Sequence, residues 1–127
     1  MTGNKTAIIG GSGFVGSRLA SRFDRGISQY SICDINTKNC SYNAIHLDVE
    51  DEKSLDKIEG FESIINLAAV HRDDVQPLSR YDDVNVQGAV NVCKAARKHN
   101  ISKIIFTSSV AIYGFAPAGT DESGGPN

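Results

Sequence analysis

The chain has 127 residues, with 13 Lys and Arg against 15 Asp and Glu and a formal charge of −2. That length suits one domain, and a hydrophobic fraction of 40% with 22% charged residues excludes a disordered chain. The near-neutral balance gives no general pull on nucleic acid or anionic lipid, so neither is an expected partner. Apolar runs such as Ala7-Ile8-Ile9 are far too short to span a bilayer, and Met1-Thr2-Gly3-Asn4-Lys5 lacks a signal-peptide pattern. Cys33, Cys40 and Cys93 are odd in number and form no C-x-x-C pair. Reduced thiols in a cytoplasmic protein are expected, with no disulfide scaffold and no metal site.

Short apolar runs alternate with segments of helical period, the pattern of βαβ units around a parallel sheet. Lys5 to Ile9 reads as the first strand, and a glycine cluster follows it. Val15, Leu19 and Phe23 then recur on one face of a first helix. Tyr30 to Asp34 is a second strand ending in an acid, and Ala44 to Leu47 a third. A short helix follows with Leu55 and Ile58 inward, then a fourth strand from Glu62 to Asn66. The spacing of Tyr81, Val84, Gly88, Val92 and Ala95 predicts one long helix over Ser79 to His99. Asn100 should end it, because Asn tolerates the left-handed conformation. Lys103 to Thr107 is a fifth strand, after which no regular element is visible beyond Gly114. The expected division is therefore an α/β half-domain over 1–114 and a loop or disordered tail over 115–127.

The segment Gly10-Gly11-Ser12-Gly13-Phe14-Val15-Gly16 joins the first strand to the first helix. Gly11, Gly13 and Gly16 fit G-x-G-x-x-G, and Gly10, Gly13 and Gly16 fit G-x-x-G-x-x-G equally well. Such a turn lets the backbone approach a pyrophosphate, whose charge faces the N–H groups and dipole of the helix start. Asp34, at the end of the next strand, sits where an acid can bond both ribose hydroxyls of adenosine. A carboxylate there repels a 2′-phosphate, so NAD is favoured over NADP. A P-loop is excluded, since no G-K-[ST] ending is present.

Four motifs stand in order: Gly10 to Gly16, Asn66-Leu67-Ala68-Ala69, Val84-Asn85-Val86-Gln87-Gly88, and Phe106 to Gly114 with Ser108-Ser109 inside it. Together they resemble the extended short-chain dehydrogenase/reductases, the NAD-dependent epimerase/dehydratase family of sugar-nucleotide enzymes, over essentially the whole chain. The resemblance implies a Rossmann-type α/β doubly wound sheet of order 3-2-1-4-5. It implies a cofactor site of Gly10, Gly13, Phe14, Val15 and Gly16 at the pyrophosphate, with Asp34 and Asn36 at the ribose. Asp48 and Val49 would contact adenine, and Leu67, Ala68 and Ala69 would line the dinucleotide. Asn85 matches an asparagine that ties elements together, and Ser109 the serine that bonds the reacting sugar hydroxyl. Ile9 stands where the family often has Thr, and Asn66 where His is frequent.

The family's Tyr-x-x-x-Lys pair has no counterpart: Tyr30, Tyr42, Tyr81 and Tyr113 are followed four residues on by Asp34, His46, Asn85 and Pro117. The resemblance therefore implies an N-terminal part, truncated before the last strands and the substrate domain, expected to bind NAD without turnover. Tyr113 belongs, in the family pattern, to the Tyr-Gly that closes its motif. Val110 and Ala111 after Ser109 cannot move a proton, which favours an epimerase of a UDP-sugar over a dehydratase. Arg72 is a candidate for the substrate diphosphate, with a solvated loop as the plainer alternative. A non-catalytic NAD(P)-sensing module, a dehydratase or reductase of the same family, and more distantly a methyltransferase are the rival readings. The parent enzyme is expected to form a homodimer, and the open edge of the fifth strand to invite self-association.

Overall fold

The computed structural model describes residues 4–26, 28–38, 40 and 44–126. The expectations placed on Met1 to Gly3, Tyr42 and Asn127 lie outside these residues. Five parallel strands form one sheet: β1 (Lys5–Ile9), β2 (Gln29–Asp34), β3 (Ala44–His46), β4 (Ser63–Asn66) and β5 (Lys103–Phe106). Their order is β3-β2-β1-β4-β5, as the sequence resemblance implies for a Rossmann-type fold. The central strand β1 pairs Ile8 with Ile32 on one side and with Ile65 on the other.

β1 is central because its side chains are apolar on both faces. Ala7 and Ile9 enter a cluster with Cys33, Leu47, Leu55, Ile58, Ile64 and Val92. Ile8 faces the opposite side and is equally buried. Removing an isoleucine of this kind from water stabilises the fold by about 2 kcal/mol.

Helix α1 (Phe14–Phe23) follows the glycine turn, but its buried positions are Gly16 and Ala20. The stripe of Val15, Leu19 and Phe23 is not the face that seals the core; Val15 is 54% exposed. Close approach decides this: a Cβ on Gly16 would lie 2.4 Å from the Gly11 backbone. Small residues therefore carry the contact, and a larger one has no room.

A 3₁₀ turn over Ser54–Ile58 buries Leu55 and Ile58 as expected. The predicted long helix is built in three parts: α2 (Ser79–Tyr81), a π-helical segment (Asp82–Gln87) and α3 (Gly88–Lys98). Gly88, Val92 and Ala95 of the expected stripe are buried, while Tyr81 and Val84 are half-buried. Asn100 closes the helix in the left-handed region at φ 57°. Ile101 N–H then donates to Ala96 O at 2.8 Å, and Asn100 N–H to Arg97 O, so the last carbonyls are satisfied.

Beyond β5, a short 3₁₀ turn over Val110–Tyr113 appears that the sequence pattern did not reveal. Residues 115–126 hold turns and no further regular element. β5 is the sheet edge, with Ile104, Ile105 and Phe106 all exposed.

Candidate functional site

A cleft of about 550 Å³ opens at the ends of the strands, between the glycine turn, the loops after β2 and β3, and the loop after β4. It lies where the order of a parallel sheet reverses, the usual ligand position in such folds. Four charged side chains reach its lining: Asp34, Asp48, Glu50 and Arg80. Most of the rest of the wall is apolar or backbone.

The glycine turn is built by close contacts. Gly10 adopts φ +75°, and a Cβ on it would lie 2.7 Å from Ala68 N. Its own N–H donates to Cys33 O at 2.8 Å, tying the turn to β2. Gly11 is held as tightly, since an added Cβ would meet Ile8 O at 2.7 Å. Gly10, Gly11 and Gly16 are thus demanded by the protein itself.

Gly13 differs. A Cβ there would meet only Gly10 O, at 3.4 Å, an ordinary contact. Nothing among the described residues requires glycine at this N-cap, yet it lines the cleft. No side chain caps α1, and no acidic residue occupies its first turn. The N–H groups of that turn have no intrahelical partner and carry the positive end of the helix dipole. An anion approaching Gly13 meets backbone donors and no Cβ, so these residues fit a pyrophosphate.

Asp34 ends β2 and is fixed by two backbone donors: Ser12 N–H at 3.1 Å to Oδ2 and Asn36 N–H at 3.0 Å to Oδ1. One carboxylate thereby joins the glycine turn to the loop after β2. Asn36 contributes that backbone bond but does not line the cleft. Asp48 is held similarly. Its N–H donates to Ser54 Oγ at 2.9 Å, and its Oδ1 accepts from Glu50 N–H at 2.9 Å.

Val49 carries three constraints. Its side chain packs against Gly88, where an added Cβ would be 2.8 Å from Val49 Cγ2. Its carbonyl accepts from the buried Asn91 Nδ2 at 2.9 Å, and Asn91 Oδ1 accepts from Gln87 Nε2. Next to it, Glu50 forms a two-pronged ion pair with Arg80, at 2.5 and 2.9 Å.

Leu67, Ala68 and Ala69 form the opposite wall. Leu67 N–H donates to Ile9 O, and Ala68 N–H to Asn66 Oδ1. Asn66 is therefore a buried turn-former, a role its side-chain amide fills without an imidazole. Asn85 clamps the next residue: its Oδ1 accepts Val70 N–H at 2.7 Å and its Nδ2 donates to Val70 O at 2.9 Å. The tying role expected of Asn85 is this pair of bonds.

Eleven of the residues singled out in the sequence converge here: Gly10, Gly13, Phe14, Val15, Gly16, Asp34, Asp48, Val49, Leu67, Ala68 and Ala69. Ser109 and Arg72 do not line the cleft. Ser109 caps the turn at Val110, its Oγ accepting Ala111 N–H at 3.1 Å, while Thr107 two residues earlier reaches the cleft wall. Arg72 pairs with Asp74 at 2.7 Å, and both side chains are largely exposed. Its carbonyl accepts from the Tyr81 hydroxyl. The solvated-loop alternative describes the Arg72 side chain as the structure has it.

Glu50, Arg80 and Asn91 escaped the sequence reading, and Gly88 was read only as part of the helix stripe and its motif. Their roles arise from pairing between the segment after β3 and the helix, which no local spacing announces. Cys33 lies behind the turn, and burial pushes its thiol up to about 12, so it is a packing residue without thiolate reactivity. Among the described residues, no helix is long and apolar enough to cross a membrane.

Comparison with known proteins converges on one family. The family model described as the NAD dependent epimerase/dehydratase family matches residues 6–126. The chain is 44% identical over 125 residues to the N-acetyl-α-D-glucosaminyl-diphospho-ditrans,octacis-undecaprenol 4-epimerase of Escherichia coli O157:H7, covering 91% of this chain and 35% of that protein. It is 28% identical to a UDP-glucose 4-epimerase of Dictyostelium discoideum, covering 87% of this chain and 38% of the relative. The fold matches the UDP-glucose 4-epimerase of Brucella ovis in complex with NAD at a TM-score of 0.87 and 23% identity, over 98% of this chain and 42% of that one. The chain thus spans well under half the length of these relatives. The match over residues 6–126, together with the glycine turn and fold it contains, means that the chain belongs to the NAD-dependent epimerase/dehydratase family.

Proposed function

We propose that this chain binds NAD in the cleft and serves as the cofactor-binding part of a 4-epimerase of diphosphate-linked sugars. The observation that carries the reading is the uncapped start of α1 at Gly13, with Asp34 pinned beside it. The diphosphate would lie against Gly13 on the N–H groups of Phe14 and Val15, with Gly10 and Gly16 holding that turn against the loop after β4 and Gly11. Asp34 would accept the two ribose hydroxyls, with Asn36 beside it, and its charge would exclude a 2′-phosphate. Asp48 and Val49 would receive adenine, and Leu67, Ala68 and Ala69 would flank the rest of the dinucleotide.

When bound, the nicotinamide supplies a hydride acceptor and donor for a sugar carbon. Ser109 would bond the reacting sugar hydroxyl. Its Oγ accepts an N–H within its own turn, which leaves its O–H and a second lone pair for the substrate. The 127 residues contain no Tyr-x-x-x-Lys pair to move the hydroxyl proton, so we expect NAD binding without turnover from this chain alone.

A UDP-sugar is the proposed substrate. The 44% identity to an enzyme named for a polyprenyl-diphosphate sugar supports a second carrier, and the sugar diphosphate is common to both. The exposed Val86 and Val90 on the helix support homodimerisation of the parent through this element. The proposal extends to a cytoplasmic, non-membrane setting with no nucleic-acid partner.

Calorimetric titration of the chain with NAD and NADP tests the reading. Binding of NAD and weaker binding of NADP are expected. A folded chain that binds neither would end the proposal, and equal affinity for both would remove the role given to Asp34.

A further inference from the structure

Among the described residues, three Lys or Arg ion pairs connect the segment 50–56 to the helix that starts at Ser79: Arg80 with Glu50, Lys94 with Glu52 and Lys98 with Asp56, which His99 at the helix end also meets. Only the first lines the cleft. It is also the least exposed of the three, with side chains 37% and 31% accessible, and it is two-pronged where the others are single. A planar guanidinium fitted to both carboxylate oxygens fixes direction as well as distance.

The position of this pair gives it a task. Glu50 directly follows Asp48 and Val49, and its N–H is already committed to the Asp48 carboxylate. Asn91 and Gly88 grip Val49 from the helix side. Arg80 grips the next residue from α2, so Val49 and Glu50 are both held by the same helical run. Arg80 is also the only Lys or Arg among the described residues lining a cleft that carries three carboxylates. It neutralises Glu50 at the rim and offers no free charge to a ligand.

We propose that the Arg80–Glu50 pair is a strap that pre-orders the Asp48–Val49 wall for the adenosine end of the dinucleotide, which makes Arg80 a positioning residue. The proposal rests on the NAD reading given above. A wall held in its bound shape before the ligand arrives leaves less ordering to oppose binding.

Charge and strap make opposite predictions for one variant. If Arg80 acted only by cancelling a carboxylate, Glu50→Gln would improve binding of an anionic ligand. If the pair is a strap, Glu50→Gln and Arg80→Gln both weaken it. The test is titration of the full chain and these two variants, plus the exchanged pair Glu50→Arg/Arg80→Glu, with NAD and with ADP-ribose. Amide exchange at Asp48 and Glu50 is followed in the ligand-free proteins. We expect each single variant to lose about two- to fivefold in affinity for both ligands. Exchange at Glu50 should quicken in both, and the exchanged pair should recover both readouts.

Exchange at Glu50 that does not change in either variant would overturn the strap, whatever the titrations give. Faster exchange with unaltered affinity, in a chain that binds NAD, would overturn its part in binding while leaving the cofactor reading intact. Tighter binding by Glu50→Gln would replace the strap with simple charge cancellation. A wild-type chain that binds neither ligand would refute the cofactor reading and the binding role together, separately from the exchange result.

Discussion

Within one glycine-rich turn, the same residue type performs two unlike duties. Gly16 is glycine because the Gly11 backbone is too near, and Gly13 is glycine with no such pressure from the protein. Gly16→Ala should therefore destabilise the chain by about 2–3 kcal/mol, read as a lowered midpoint in urea. Gly13→Ala should cost no more than about 1 kcal/mol at this N-cap, yet reduce NAD affinity about tenfold through loss of a backbone contact to the diphosphate. A Gly13→Ala protein that binds NAD normally would show that the diphosphate does not lie there. Asp34→Ala should lower NAD affinity by about tenfold or more, since charge-assisted bonds to the ribose disappear, and should narrow the gap to NADP. Asp56 governs a different property. Hydrogen bonds from Lys98 and His99 hold its carboxyl below the usual carboxylate range. A lowered native value means that ionised Asp56 favours the folded state above about pH 4, and that this contribution fades as the pH falls through the native value. Asp56→Asn should flatten the acid limb of a stability–pH curve and leave the neutral-to-alkaline part parallel; an unchanged acid limb would remove Asp56 from that role.

Among the elements, the loop after β4 depends on a helix far along the chain. Asn85 satisfies both the N–H and the carbonyl of Val70 from the π-helical segment. Asn85→Ala leaves both groups without that partner, and a loss of about 1–2 kcal/mol is expected, with amide exchange quickening first at Val70. Stability equal to wild type would mean water replaces the clamp without cost. How much of this was legible in the sequence depended on the kind of contact. β1 was legible because the apolar run Ala7-Ile8-Ile9, bounded by Gly10, fixes where the strand ends. Asn100 was read because its termination signal is local. The buried face of α1 was not, because Gly16 and Ala20 add nothing to a hydrophobic periodicity that Val15, Leu19 and Phe23 dominate. The π-helical segment also escaped, since a half-buried Tyr81 and Val84 spaced with Gly88 look like an uninterrupted α-helix. Residues placed along the glycine turn and at strand ends could be assigned to the cleft, as strand ends of a parallel sheet converge. Arg80 and Asn91 could not, because their partners Glu50 and Val49 are brought to them only by the folded chain. Ser109 shows the reverse case: its motif is clear, but the structure gives its hydroxyl a neighbouring amide and leaves the cleft wall to Thr107.

For the whole molecule, the two edges of the sheet and its centre are in unlike states. β1 is sealed on both sides and both faces, whereas β5 has one strand neighbour and exposes every side chain. Open strand edges template pairing with another chain. Sedimentation of the chain should show weight-average mass rising with concentration, and Ile105→Lys should suppress the rise by placing a charge on the strand. A mass that stays at the monomer value across the wild-type series would show that the edge does not pair. The strand order also has a consequence in time. The strand that ends up in the middle is made before the other four strands of this sheet, and its second neighbour, β4, is not complete until Asn66 has been added. At ordinary elongation rates that interval is roughly three to eleven seconds. Throughout it, Ala7, Ile8 and Ile9 lack at least one of the two partners that will enclose them, so the nascent chain carries an apolar strand uncovered on at least one side. Synthesis slowed between β2 and β4 would prolong that hazard, and a faster passage would shorten it.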